Sequence, residues 1–358
     1  FQVKILPENA DPMDCRYNVI QWVHRSTRGW SYGSNVSDPR TGEIIKGHVS
    51  LGSLRVRQDY LIAQSLIENP YLAENKKKVL EMSLARIRQL SAHEVGHTLG
   101  FAHNFSSSTK QRSSVMDYPH PLIKIKDDKI NLDSAYAVGI GDWDKISVAY
   151  SYSEFREDQN EKTELNKILD KSYDDGYRFI TDYDARSVGG AHVNAHLWDN
   201  SEDVTSGLDE IIKIREMAIS NFSENNISKG STYSELEDAF VPIYFLHRYQ
   251  TEAVVKLIGG LDYNYSLVGD SQLVVKTLDY ETQLNALKSV LSTLDENFLT
   301  IPTEKLNLFP PRAYGFPRTR ESFRSQMGVA FDPISAASTS SDMTLSLLLN
   351  HERLNRVN

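Results

Sequence analysis

Three histidines and one glutamate within eleven residues could do chemistry together. They lie in Ser91-Ala-His-Glu-Val-Gly-His-Thr-Leu-Gly-Phe-Ala-His103. On a helix, His93 and His97 are four apart and project from one face, so their imidazoles can meet at a single ion. Two imidazoles suit zinc, and a third protein ligand leaves the fourth tetrahedral position for water. His103 is the candidate third ligand, which sets a condition on the backbone. A continuing helix, rising about 1.5 Å per residue, would carry His103 roughly 15 Å from His93. Zinc–nitrogen bonds are only about 2.0–2.1 Å long, so the chain must turn between His97 and His103. Gly100 is the residue best able to take the left-handed, helix-ending conformation. Glu94 stands beside the ligands in a different role, taking a proton from the activated water and passing it to the leaving amine.

The elements that must position these groups follow from periodicity. Val79, Met82, Leu84, Ile87 and Leu90 recur at helix-like spacing in a run rich in helix formers, so the motif occupies the last turns of a long helix beginning near Ala73. A helix from Leu54 to Glu68 precedes it and ends at Asn69-Pro70. Residues 1–6, 18–24 and 43–50 have the β-branched and aromatic content of strands, the last following an Asp38-Pro-Arg-Thr-Gly42 turn. Beyond residue 152 the pattern is helical over about 160–172, 205–222, 232–258, 280–297 and 334–355, with Pro242 kinking or breaking the third. Residues 181–200 are rich in Gly and Asn and predict a structured loop. Its His192 and His196, four apart, are the weaker candidates for a second metal.

H-E-x-x-H alone also fits an amphipathic helix with two structural histidines. The extended form H-E-x-x-H-x-x-G-x-x-H is the metzincin signature, and the chain resembles that clan of zinc peptidases. Ser114-Val-Met-Asp-Tyr-Pro119 resembles the Met-turn, which would put Met116 beneath the metal. Tyr118 is similar to the tyrosine that stabilises the oxyanion in astacin-like members. Asn104 departs from the Glu, Asp, Ser or Pro that follows the third histidine in the familiar subfamilies. The resemblance implies an edge strand above the cleft, expected at Ile44–Leu51, with Gly47, His48 and Val49 binding extended substrate by strand addition. It also implies a pocket for the residue after the scissile bond, lined by Pro119 and His120. Ile140–Tyr150 resembles the last helix of a metzincin catalytic domain, with Asp142 capping it and Trp143, Ile146, Ala149 and Tyr150 packed inward. Asn18-Val-Ile-Gln-Trp-Val-His-Arg, Thr27-Arg-Gly-Trp-Ser-Tyr-Gly33, Asp38–His48 and His103-Asn-Phe look like a family of large Gram-negative bacterial metalloproteases. The implied fold is α+β: a metzincin-like domain over residues 1–152 with a mixed sheet, a long active-site helix and a Met-turn, then a mainly helical domain over 153–358.

Composition bounds the alternatives. The 358 residues suggest about two domains. A net charge of −9 without a basic stripe argues against nucleic acid, and no apolar run is long enough to span a bilayer. Cys15 is the only cysteine, so no internal disulfide forms, and a buried or inert thiol is expected. A start at Phe1, without the further strand and helix usual in metzincins, suggests a processed or truncated chain. By family resemblance its location is extracytoplasmic. The expected activity is a zinc endopeptidase with one zinc per chain and a peptide or protein substrate. The alternatives are a zinc amidase on cell-wall peptides and a zinc-stabilised binding module without turnover. Structural calcium occurs in the clan, but no dense ligand pattern for it is present here.

Overall fold

In the computed structural model, residues 2–26, 29–200 and 202–357 are described. Phe1 of the expected first strand, and Thr27 and Arg28 of one family-like segment, lie outside them. Val-Ile-Gln-Trp-Val forms β1 (Val19–Val23), and β2 (Tyr32–Ser37) and β3 (Ile44–Gly52) flank the Asp38–Gly42 turn. The sheet order is β1-β3-β2, with β3 parallel to β1 and antiparallel to β2.

This order corrects two expectations. Ile44–Leu51 is the central strand, not the edge: His48 pairs with Val19 on one side and Ser34 on the other, and Val49 with Ile20 and Gly33. Gly47 is engaged by Asn35 of β2 and by the Asn18 side chain, which accepts its N–H at 2.7 Å. The edges are β1 and β2, and only Tyr32 and Val36 in the Tyr-Gly-Ser-Asn-Val-Ser sequence of β2 favour a strand. Residues 2–6 form no strand.

Two helices back the sheet. α1 (Leu54–Leu66) packs on α2 (Ala73–Thr98), and α2 packs against β2 and β3. The buried stripe of α2 comprises Val79, Met82, Ser83, Arg86, Gln89, Leu90 and His93, so burial of this face carries the first histidine into the interior. Leu84, expected within that stripe, falls off it and is exposed. A hairpin of β4 (Lys124–Lys126) and β5 (Lys129–Asn131) leads to α3 (Asp142–Tyr152). Gly141, not Asp142, is the N-cap of α3; Asp142 pairs with Lys145 at 2.7 Å instead. Tyr150 is exposed rather than packed inward, because the buried anchor of this helix is polar Asp144.

The C-terminal half contains α4 (Glu161–Asp174), the short α5 (Asp182–Ala185), α6 (Val204–Asn221), α7 (Tyr233–Tyr244) and α8 (Arg248–Val255). Strands β6 (Leu261–Tyr263) and β7 (Val275–Thr277) pair before α9 (Tyr280–Ser292), α10 (Glu296–Leu299), α11 (Thr303–Leu306), α12 (Pro333–Leu348) and α13 (His351–Val357). The predicted 232–258 helix is two: Pro242 remains within α7, which ends at Tyr244. Cys15 is exposed, contrary to expectation. Among the described residues no helix is long and apolar enough to cross a membrane.

The main apolar core crosses the expected boundary at Tyr152. It joins Ala63, Leu66, Val79 and Met82 to Ile214, Phe222, Phe240, Tyr244 and Phe323. Polar groups seal the same contact: Asn226 donates to Gln64 O at 3.0 Å and Ile67 O at 3.2 Å, satisfying carbonyls at the end of α1. A chain ended at Tyr152 therefore loses more than half of its principal core. It should lack a cooperative thermal transition and should aggregate through the uncovered α1–α2 face. A monomeric 1–152 fragment with a sharp unfolding transition by circular dichroism would contradict this.

Candidate active site

The backbone turn that three-histidine binding requires is present. α2 ends at Thr98, and Gly100 takes φ +89°, which reverses the chain toward His103. His97 Nε2 then lies 3.1 Å from both His93 Nε2 and His103 Nε2. Each Nδ1 faces a group that can only accept: Val115 O at 2.6 Å for His93, Phe101 O at 2.8 Å for His97 and Asp182 Oδ2 at 2.7 Å for His103. Each Nδ1 must carry the ring proton, leaving three Nε2 lone pairs pointed at one another. Such a cluster is repulsive until a cation is shared. A tetrahedral centre with metal–nitrogen bonds of about 2.0–2.1 Å separates its nitrogens by roughly 3.3 Å, so the donor set fits zinc. Burial holds His93 well below the usual imidazole range, assisted by neighbouring His97, and also lowers His103. Both are thus kept in the neutral, ligating form.

Met116 packs against the histidine motif at Gly96. A Cβ on Gly96 would fall 2.3 Å from Met116 Sδ, so the glycine inside the histidine motif makes room for the methionine. Asp144 of α3 holds the turn, accepting from Ser114 Oγ at 2.5 Å and the Val115 N–H at 2.9 Å. Asn104 ties the other side. Its N–H donates to Met116 O at 3.0 Å, and its side chain donates to Arg178 O at 2.7 Å and accepts from the Ile180 N–H at 3.2 Å. An amide both donates and accepts, which accounts for Asn where the familiar metzincins have other residues.

Glu94 and Tyr118 share one open cleft of ≈ 2060 Å³ with Pro119 and His120. Burial pushes the Glu94 carboxyl up to about 7, against the lowering influence of the Gly33 N–H and Arg86. Burial also raises the Tyr118 phenol, whose oxygen accepts from Arg186 Nη2 at 3.2 Å. His120 lies in the cleft wall rather than at the metal cluster, and burial together with Arg248 lowers it to about 3. Gly47, His48 and Val49 do not line the cleft, in keeping with their central strand; Trp30 and Ser31, just before β2, do. Among the described residues His93, His97 and His103 are the one group arranged to hold a metal. His192 hydrogen-bonds Tyr263 O at 2.8 Å, and His196 lies 3.3 Å from Glu252, so their loop is a structured one.

Asp182 and Arg186 were not among the expected site residues; they stand in the stretch 181–200 expected to be a structured loop. Arg186 bonds both Asp182 and Tyr118, linking the third histidine to the tyrosine. Their i, i+4 acid–base spacing was the available signal. Lys256 secures the loop from α8, donating to Ala185 O at 2.6 Å and Ala195 O at 2.8 Å.

Asp182 is 39% exposed, so replacing it should leave the fold intact. Asp182→Asn should weaken metal retention about 10–100-fold, the usual consequence of losing a carboxylate behind a ligating histidine. A competitive chelator titration measures it, and unchanged affinity would remove Asp182 from the site.

No curated protein and no solved structure matches the chain. A family model described as Met-zincin matches residues 75–358. That span takes in the histidine motif, the turn beneath it and the helical half that supplies Asp182 and Arg186. The chain belongs to the Met-zincin family, a metzincin-clan metalloprotease family, and has the corresponding α+β fold.

Proposed function

We propose that the protein is a zinc endopeptidase that hydrolyses extended peptides, with His93, His97 and His103 as the metal ligands. The observation that carries this reading is the convergence of three Nε2 lone pairs beside Glu94 in an open cleft. Small-molecule sites usually enclose about 300–1,000 Å³. The cleft here is ≈ 2060 Å³ and open, which favours a polymer over the small, enclosed substrate of an amidase. A binding module would need neither an acid at Glu94 nor room beside the ligands.

Zinc bound there would polarise the scissile carbonyl and make a nearby water more acidic. The remaining work belongs to the chain. Glu94 accepts the proton of the attacking water and returns it to the leaving amine nitrogen. Tyr118 donates its hydroxyl proton to the developing oxyanion, and Arg186 fixes that hydroxyl from behind. The outer edge of β2, which has no strand partner among the described residues and adjoins the cleft through Ser31 and Trp30, pairs with substrate backbone in the role first expected of β3.

Glu94→Gln should keep zinc, measured by elemental analysis, and lower turnover of a peptide library by about 10²–10⁴-fold. His103→Ala should instead lose the metal. Normal hydrolysis by zinc-loaded Glu94→Gln would assign the proton transfers elsewhere.

Tyr118→Phe should lower kcat and kcat/KM together, on the order of 10²-fold, with zinc content unchanged. Wild-type kcat in that variant would leave Tyr118 a packing role against His93, His103 and Phe105, whose rings lie 5.3, 4.7 and 5.4 Å away.

A further inference from the structure

The cleft beside Glu94 holds more positive charge than its acids neutralise. Arg55, Arg86 and Arg248 line it near Trp198 and Tyr249. Arg55 pairs with Asp59 at 2.7 Å, and Asp59 also accepts from Tyr136 Oη at 2.7 Å. Arg86 is 2% exposed, bonds Gln89 through Nη1, leaves Nε without a partner and forms no ion pair among the described residues. Its guanidinium sits 5.6 Å from the Trp198 and Tyr136 rings. Arg248 donates to Phe245 O at 2.9 Å and lies 4.3 Å over Tyr249, also without an acid.

Asp59 is thus the one carboxylate ion-paired to any of these three guanidiniums among the described residues, with Glu94 and buried Asp117 acting on Arg86 only at longer range. Other acids of the lining are committed elsewhere: Asp238 pairs with Arg312 at 2.8 Å, Glu321 with Arg57, and Asp332 caps α12. Arg318 pairs with Glu237 at 3.1 Å, which leaves Asp342 outnumbered by Arg320 and Arg324 of the same lining. The neutrality of His120, lowered by burial and by Arg248, Arg55 and Arg86, reports the same accumulation of charge. Burying a cation without a counter-charge is costly, and an anion entering such a place gains charge-assisted hydrogen bonds. The ring stacking leaves guanidinium edges, the N–H-bearing part, for that anion.

We propose that this pocket binds a carboxylate of the peptide substrate, on the side of the scissile bond lined by Pro119 and His120. The carboxylate belongs to an acidic side chain just after the cleaved bond or to a chain terminus at that point. The inference rests on the peptidase reading only in taking the substrate to be a peptide. Arg86 also braces the turn beneath the histidines, because Gln89 Nε2 donates to Val115 O at 3.1 Å. Arg248 has no such duty, so it is the residue to change.

Peptides that differ only in Glu or Gln after the cleaved bond, each with a free or amidated C-terminus, decide the matter. Wild-type kcat/KM should favour Glu over Gln, or free acid over amide, by roughly tenfold or more. The pair that shows the effect identifies the source of the carboxylate. Arg248→Gln should reduce that ratio at least about threefold and Arg248→Lys should retain most of it, as expected for recognition by charge. Calorimetric titration of the same peptides into Glu94→Gln should show the same preference in binding without turnover. Cleavage with no acid preference overturns the pocket and leaves the peptidase reading standing. Selective binding of acidic peptides by Glu94→Gln, with no cleavage by the wild type, supports the pocket and overturns the peptidase reading. A ratio unchanged in Arg248→Gln also overturns the assignment.

Discussion

Three ring protons organise this molecule. Each histidine of the cluster can offer Nε2 only because its Nδ1 proton is held by an acceptor from elsewhere in the chain. His93 uses Val115 O, His97 uses Phe101 O and His103 uses Asp182. Remove an acceptor and the ring is free to rotate or to change tautomer. Much of the surrounding architecture serves these contacts. Asp144 and Gln89 fix the turn that carries Val115, the Gly100 turn presents Phe101 and His103, and Lys256 holds the loop that bears Asp182.

This dependence explains what was legible in the sequence. The histidine spacing, the need for a turn and Gly100 as its agent follow from helix geometry, which is local. Helices α1, α2, α4, α6 and α9 follow from apolar periodicity for the same reason. Two of the acceptors, Val115 O and Asp182, come from distant stretches of chain, and no local pattern encodes which carboxylate reaches His103. The sheet failed for a related reason. β2 is a Gly-, Ser- and Asn-containing strand whose existence depends on pairing with β3, so its intrinsic propensity gave little warning. Once β2 exists, β3 becomes central, and the edge next to the cleft belongs not to Gly47, His48 and Val49 but to a strand that was not anticipated.

The helical half is not an appendage to a self-sufficient catalytic unit. It supplies part of the main core, the partner of the third histidine and, through α7 and α8, part of the cleft wall. The surplus of guanidinium groups in that wall arises where the two halves meet: Arg55 and Arg86 come from α1 and α2, and Arg248 from α8. Neither half alone contains the arrangement.

The clamp made by Lys256 has a consequence for the order in which the protein acquires its properties. The ammonium that pins Ala185 and Ala195 stands at the C-cap of α8, whose Val255 carbonyl is itself held by buried Arg353. During synthesis from the N-terminus, the histidine motif leaves the ribosome some 250 residues before Arg353. The ligands therefore emerge long before the groups that orient them can be in place. Full assembly of the centre waits until Arg353 has emerged, so a nascent chain carries the metal ligands without their finished setting.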